Sequence, residues 1–138
     1  MTLTTTLHVN FDGQAADALA FYAEVFGGTV TAVPYGETAE EPEQREQIVW
    51  GEMIAPSGVH VMAYDIQRSL PHDRGVNPFY LALRGHDADE VRAAWEGLSQ
   101  DAEILAPFGP SAFSPLYGKL VDRFGVVWII DVIAPWNG

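Results

Sequence analysis

The sequence predicts an α+β protein built from two βαβββ modules. Three observations carry that expectation. The stretch 7–35, LHVNFDGQAADALAFYAEVFGGTVTAVPY, alternates, becomes helical and alternates again. A second stretch, from residue 79, repeats that order of elements. After each, short β-prone runs are separated by Gly- and Pro-containing turns. Module 1 is expected over about 1–66 and module 2 over about 78–134, as one domain spanning 1–138. The strands should form a mostly antiparallel eight-stranded surface curled into a cup, with the helices on its outer face.

The elements follow in order. Leu7, Val9 and Phe11 alternate with His8 and Asn10, the period of a strand with one apolar face. Asp12-Gly13 breaks it, and Ala15, Ala18, Leu19, Tyr22 and Val25/Phe26 then recur at helical spacing. Gly27-Gly28 ends that helix, and the β-branched run Thr29 to Val33 makes the second strand. Gly36 to Arg45 is polar and reads as an exposed connection. Gln47 to Ile54 is a third strand with Ile48, Trp50, Glu52 and Ile54 on one face. The turn Ala55-Pro56-Ser57-Gly58 joins it to a fourth strand, Val59 to Asp65, in which Val59, Val61 and Ala63 oppose His60, Met62 and Tyr64. Ile66 to Pro78 is a linker.

In the second half, Phe79 to Arg84 alternates as a strand, and Asp87 with Glu90 opens a helix carrying Val91, Ala94, Trp95 and Leu98. Ala102 to Phe108 is the next strand, 109–115 a loop, and 117–122 with 126–132 a hairpin around Arg123-Phe124-Gly125. The repeat is one of element order, since residue identity between the halves is weak.

Composition narrows the function. In 138 residues, seven Lys and Arg face nineteen Asp and Glu, a formal charge of −12 that repels nucleic-acid phosphates and anionic membranes. The absence of Cys removes disulfides, thiolate metal sites and cysteine nucleophiles. No apolar run is long enough to span a membrane and no signal-peptide pattern opens the chain, so the default location is cytoplasmic. No phosphate-binding Gly loop, dinucleotide fingerprint or nucleophile motif is present.

The more apolar strand faces, Leu7/Val9/Phe11, Phe79/Leu81/Leu83 and Trp128/Ile130/Val132, are assigned to the helices. The other faces then line the cup. Ligand contacts are expected from His8, Asn10, Trp50, His60, Tyr64, Tyr80, Arg84, Tyr117 and Lys119, and Met62 and Ile129 also line the cup. Tyr hydroxyls can orient a polar ligand, Trp50 can stack on a planar one, and Arg84 and Lys119 can anchor an anion. Glu52 and Asp131 are the candidate catalytic groups, Asp131 as a general base. His8, His60 and Glu52 are a candidate two-His, one-carboxylate set for Zn, Ni or Fe(II).

FDGQAADALAFYAEVFGG near the start and GKLVDRFGVVWIIDV near the end resemble the vicinal oxygen chelate superfamily, within it the PhnB-like branch of glyoxalase/bleomycin-resistance-like proteins. The branch usually carries Asp-Pro-Phe-Gly in the last hairpin; here it is Asp122-Arg123-Phe124-Gly125, and Phe113 matches the aromatic ahead of it. The resemblance implies the glyoxalase/bleomycin resistance/dioxygenase-like fold, a small-molecule ligand and a homodimer. Phe113, Leu116, Ile133 and Trp136 are apolar residues that a second copy would cover. The resemblance also places the superfamily's metal-ligand positions on His8, Tyr80, Ile129 and the segment His60 to Met62, so the full ligand set is missing. Two activities remain open: a binder that holds its ligand without chemistry, and a metal-dependent lyase, isomerase or dioxygenase using His8 and His60. The branch's methyltransferase label has little support, because no Gly-rich nucleotide site accompanies it.

Overall fold

The computed structural model describes residues 3–134. Two compact units divide the chain, Met1–Arg74 and Gly75–Gly138.

The first unit runs β1 (Leu7–Phe11), α1 (Ala15–Phe26), β2 (Thr29–Pro34), two 3-10 turns (Gly36–Thr38 and Pro42–Gln44), β3 (Ile48–Ile54) and β4 (His60–Asp65). Its sheet has the order β1-β4-β3-β2. β2, β3 and β4 form an antiparallel meander, whereas β1 pairs with β4 in parallel. α1 carries the chain across the sheet from β1 to the far edge strand β2, and the meander then returns to set β4 beside β1. The helix covers one face of this sheet with Ala15, Ala18, Leu19, Phe21 and Tyr22. Phe11, Met53, Val61 and Ala63 meet it from the strands. Large side chains buried in this way stabilise by about 1.5–3 kcal/mol each. Gly51 lets the helix approach closely: a Cβ there would lie 2.5 Å from Leu19 Cδ1 and 2.8 Å from the Ala63 carbonyl oxygen.

The second unit repeats the plan with β5 (Leu81–Gly85), α2 (Ala88–Leu98), β6 (Glu103–Gly109), β7 (Tyr117–Val121) and β8 (Val127–Val132), in the order β5-β8-β7-β6 with β5 and β8 parallel. Asp87 caps α2 by accepting from the Asp89 and Glu90 amides. Val91, Ala94 and Leu98 face Leu120, Trp128, Ile130 and Val132. Trp95 is half-buried and stacks on Phe108 at 5.0 Å, lying over Gly118. The Asp122-Arg123-Phe124-Gly125 turn closes without its proline because the Asp122 carboxylate accepts from the Phe124 and Val126 amides and from Trp128 Nε1.

The α+β class and the two βαβββ modules are thus present, as two four-stranded sheets. The eight strands divide equally between the modules, and among the described residues every strand ladder stays within one module. Three finer expectations change. Phe79 is 82% exposed and not on the helix side, because Asn77 at positive φ and Pro78 turn the chain and the ladder with β8 starts only at Leu81. Ile48 is buried on the helix side instead of sharing a face with Trp50, because the register slips between Val33 and Pro34. The 36–45 connection is not wholly exposed: Gln44 is buried, its amide donating to Gln47 Oε1 and the Ile66 carbonyl and accepting from the Arg68 amide.

Candidate functional site

Each sheet has one face under its helix, and the functional side chains expected from the sequence stand on the other. In the first module strict alternation puts His8 and Asn10 (β1), Trp50 and Glu52 (β3), and His60, Met62 and Tyr64 (β4) on that face. The register places His8 opposite Met62, and Met62 opposite Glu52, in one row. Asn10 faces Tyr64 in the next row, and His60 faces Ile54 in the row on the other side.

Glu52 does not interact straight across. It reaches diagonally, and Glu52 Oε2 lies 2.6 Å from His60 Nε2, a reach available to long side chains two residues out of register. His60 Nδ1 is 3.3 Å from Thr6 Oγ1. With the hydroxyl donating to Nδ1, the ring carries its proton on Nε2 and donates it to the carboxylate, so both ring nitrogens are engaged. About a third of the His60 side chain stays open to solvent and about a fifth of Glu52. Trp50, two residues from Glu52 along β3 on the same face, is 39% exposed.

His8 goes elsewhere. Its Nδ1 lies 2.9 Å from Asn10 Oδ1, and its ring meets Tyr64 edge-on at 5.2 Å, while the Tyr64 hydroxyl donates to Gln67 Oε1. The expected three-ligand set is therefore corrected: His60 and Glu52 are together, His8 is paired with Asn10, and among the described residues no three His, Asp or Glu side chains gather as a metal site. The superfamily's positions in the second module fit a metal no better. Ile129 has no donor atom, and the Tyr80 hydroxyl is committed to Lys119 Nζ at 3.2 Å.

In the second module the helix-free face carries Tyr80, Arg84, Tyr117, Lys119, Ile129 and Asp131. Arg84 donates through Nε to Asp131 Oδ1 at 3.0 Å and through Nη2 to Oδ2 at 3.3 Å. This hydrogen bond first, then the carboxylate's charge, raises the guanidinium pKa further above its usual value, with slight desolvation opposing. Asp131, only 9% exposed in its side chain, is occupied at both oxygens; as a free general base it is corrected to the partner of Arg84.

Beneath the first module's face lies a carboxylate that sequence reasoning missed. Asp65, 1% exposed, accepts from the Ala15 amide at 3.0 Å and the Ile48 amide at 2.9 Å. The Tyr35 hydroxyl donates to the Asp65 carbonyl at 2.6 Å. Burial first, then the charges around it, raises the Tyr35 phenol pKa. The sequence signal was slight: an acidic residue at the buried end of an alternating strand.

A family model described as 3-demethylubiquinone-9 3-methyltransferase matches residues 3–131. The chain belongs to the family that this model describes. Among its relatives is Protein YjdN of Escherichia coli K12, 24% identical over 91% of this chain and 92% of that protein. Protein PA1353 from Pseudomonas aeruginosa superposes with TM-score 0.83 at 24% identity, covering 96% of this chain and 98% of that one. A putative 3-demethylubiquinone-9 3-methyltransferase, PhnB protein, from Bacillus cereus superposes with TM-score 0.77 at 23% identity over 94% and 99%. Glyoxalase/bleomycin resistance/dioxygenase proteins share the fold at lower identity. At these identities the superpositions speak for the fold alone.

Proposed function

We propose that this PhnB-like protein binds a small organic molecule on the helix-free face of its first module, without the superfamily's full metal-ligand set. The observation that carries the reading is the Glu52–His60 pair, held at 2.6 Å yet still open to solvent, on a face that also carries the exposed indole of Trp50 two residues along β3. A flat aromatic surface with a fixed donor–acceptor pair gives a ligand both contact area and orientation. Tyr64, His8 and Asn10 extend the same face. A ligand-observed NMR screen against the full chain, followed by Trp50→Ala and Glu52→Gln, tests this. Hits should lose roughly tenfold or more in affinity in each variant; hits indifferent to both would defeat the reading.

The metal-dependent alternative draws support from the same pair, which already joins two ligand types. It requires His8 to leave Asn10 and join them. Elemental analysis of untagged protein decides: one Zn, Ni or Fe per chain, lost in His8→Ala and His60→Ala, would favour the enzyme. The homodimer implied by the family is part of the proposal, supported by the exposure of Val76, Phe79 and Phe113, and light scattering measures it. Leu116 and Ile133 are only half-buried, and Trp136 lies outside the described residues.

A further inference from the structure

Six of the chain's seven basic residues have side-chain partners that place them. Arg68 and Arg123 pair with acidic residues, and Arg74 and Arg92 lie over phenyl rings. Arg84 likewise pairs with an acid, Asp131, and Lys119 lies over a ring, Tyr80, but these two stand together on the helix-free face of the second sheet. The register fixes their relation: Arg84, Asp131 and Tyr117 form one row across β5, β8 and β7, and Ala82, Ile129 and Lys119 form the adjacent row. Two long cationic side chains one row apart can reach a common point above Ile129.

Their partners orient them and leave donors over. Asp131 takes the Nε and Nη2 edge of Arg84 and so fixes the guanidinium plane, while Nη1 makes no hydrogen bond among the described residues and half the side chain remains exposed. Lys119 Nζ sits 4.3 Å over the Tyr80 ring and 3.2 Å from its hydroxyl, which accepts from the ammonium and keeps its own proton to donate. The Tyr117 ring, braced edge-on by Phe113 at 4.9 Å, adds an aromatic wall.

We propose that this face binds the carboxylate of a small organic acid with an aromatic or similarly apolar body, the carboxylate between Arg84 Nη1 and Lys119 Nζ with the Tyr80 hydroxyl as a further donor. Arg84, Asp131 and Lys119 together leave one positive charge, which a monoanion balances. A dianion would leave uncompensated charge beside Asp131 in a strongly acidic chain. The inference goes beyond the first-module reading, because it concerns the other sheet and names the ligand's charge.

Benzoate is the probe, benzamide its neutral counterpart and inorganic phosphate the multiply charged comparison. Each is titrated into the isotope-labelled full chain and followed by amide chemical shifts. Benzoate should saturate in the millimolar range with shifts centred on β5, β7 and β8, at least about tenfold more tightly than benzamide or phosphate. Lys119→Met, which keeps the apolar stem, should erase the preference for benzoate over benzamide, and Tyr80→Phe should weaken benzoate several-fold while leaving the ammonium in place. Unchanged melting temperatures show that these are binding effects. Equal affinity for benzoate and benzamide, tighter binding of phosphate, shifts centred on the first module, or wild-type benzoate affinity in Lys119→Met would each overturn the proposal. None of those results bears on the Trp50 and Glu52 variants, so the two readings fail separately.

Discussion

At position 65 a single carboxylate joins the start of α1 to the start of β3, and its neighbour Tyr35 ties in the following loop. Removing it strands two buried amide donors, each costing about 1–3 kcal/mol. Asp65→Ala should therefore lose about 2–5 kcal/mol in urea unfolding, and Asp65→Asn, which keeps one acceptor oxygen, should lose less. Tyr35 gives a pH dependence. Its raised pKa means that the folded chain keeps the phenol proton to higher pH than the unfolded chain, whose phenol titrates near about 10. Below that value both states are protonated and the contribution is constant; above it the unfolded state releases its proton first, so stability falls as pH rises. Tyr35→Phe should cost about 1 kcal/mol at neutral pH and flatten the alkaline decline, as read from urea midpoints up to about pH 11. Neither role was legible in the sequence, where Asp65 looked like a strand terminus and Tyr35 only closed the first strand–helix–strand stretch, because buried polar partners far apart in the chain leave no periodic trace. Trp50 with Glu52, and His60 with Tyr64, were legible as sharing a face within their strands, since alternation decides that; which face of β3 joins which face of β4 came from the register. That Glu52 would choose His60 diagonally over a straight partner was not.

For the elements, the helices and most strands could be read from their periods, and the departures have local causes. The slip at Val33/Pro34 moves Ile48 to the opposite face, something no count of apolar residues reveals, because proline cannot donate to the ladder. Phe79 reads as a strand residue by composition and is displaced by the turn at Asn77-Pro78. Close helix-to-sheet approach was also invisible until Gly51 and Gly118 were seen under Leu19 and Trp95. Gly118→Ala would set a Cβ 2.6 Å from the Trp95 ring and 3.1 Å from Phe108 Cα, so it should destabilise by about 1–3 kcal/mol. Gly109→Ala meets nothing within 4 Å and should change stability by less than about half a kcal/mol. Thermal or urea melts of the two variants side by side check the contrast.

Over the whole molecule, the repeated module and its two hairpins were legible and the parallel pairing of first strand with last was not, since element order does not say which edges meet. The shared order, first strand beside last, puts β4 and β3 inside one sheet and β8 and β7 inside the other. Native-state hydrogen exchange should accordingly be slowest in those strands and faster in β1, β2, β5 and β6. The most slowly exchanging amides falling in β2 or β6 would contradict that topology. The acidity predicted from composition leaves its mark as scarcity: with so few cations, the placement of Arg84 and Lys119 carries more information than any acidic cluster.

The parallel pairing of β1 with β4 also sets a schedule for synthesis. A ribosome releases the chain from its N-terminus, and the Ala15 amide must wait for a carboxylate 50 residues downstream. At about 5–20 residues per second this is an interval of roughly 3–10 s. During it Phe11 and Leu19 have emerged, but the strand that will flank them has not. The β1–β4 ladder thus closes last, and a nascent chain stopped short of Asp65 is a natural target for chaperones that hold exposed apolar segments.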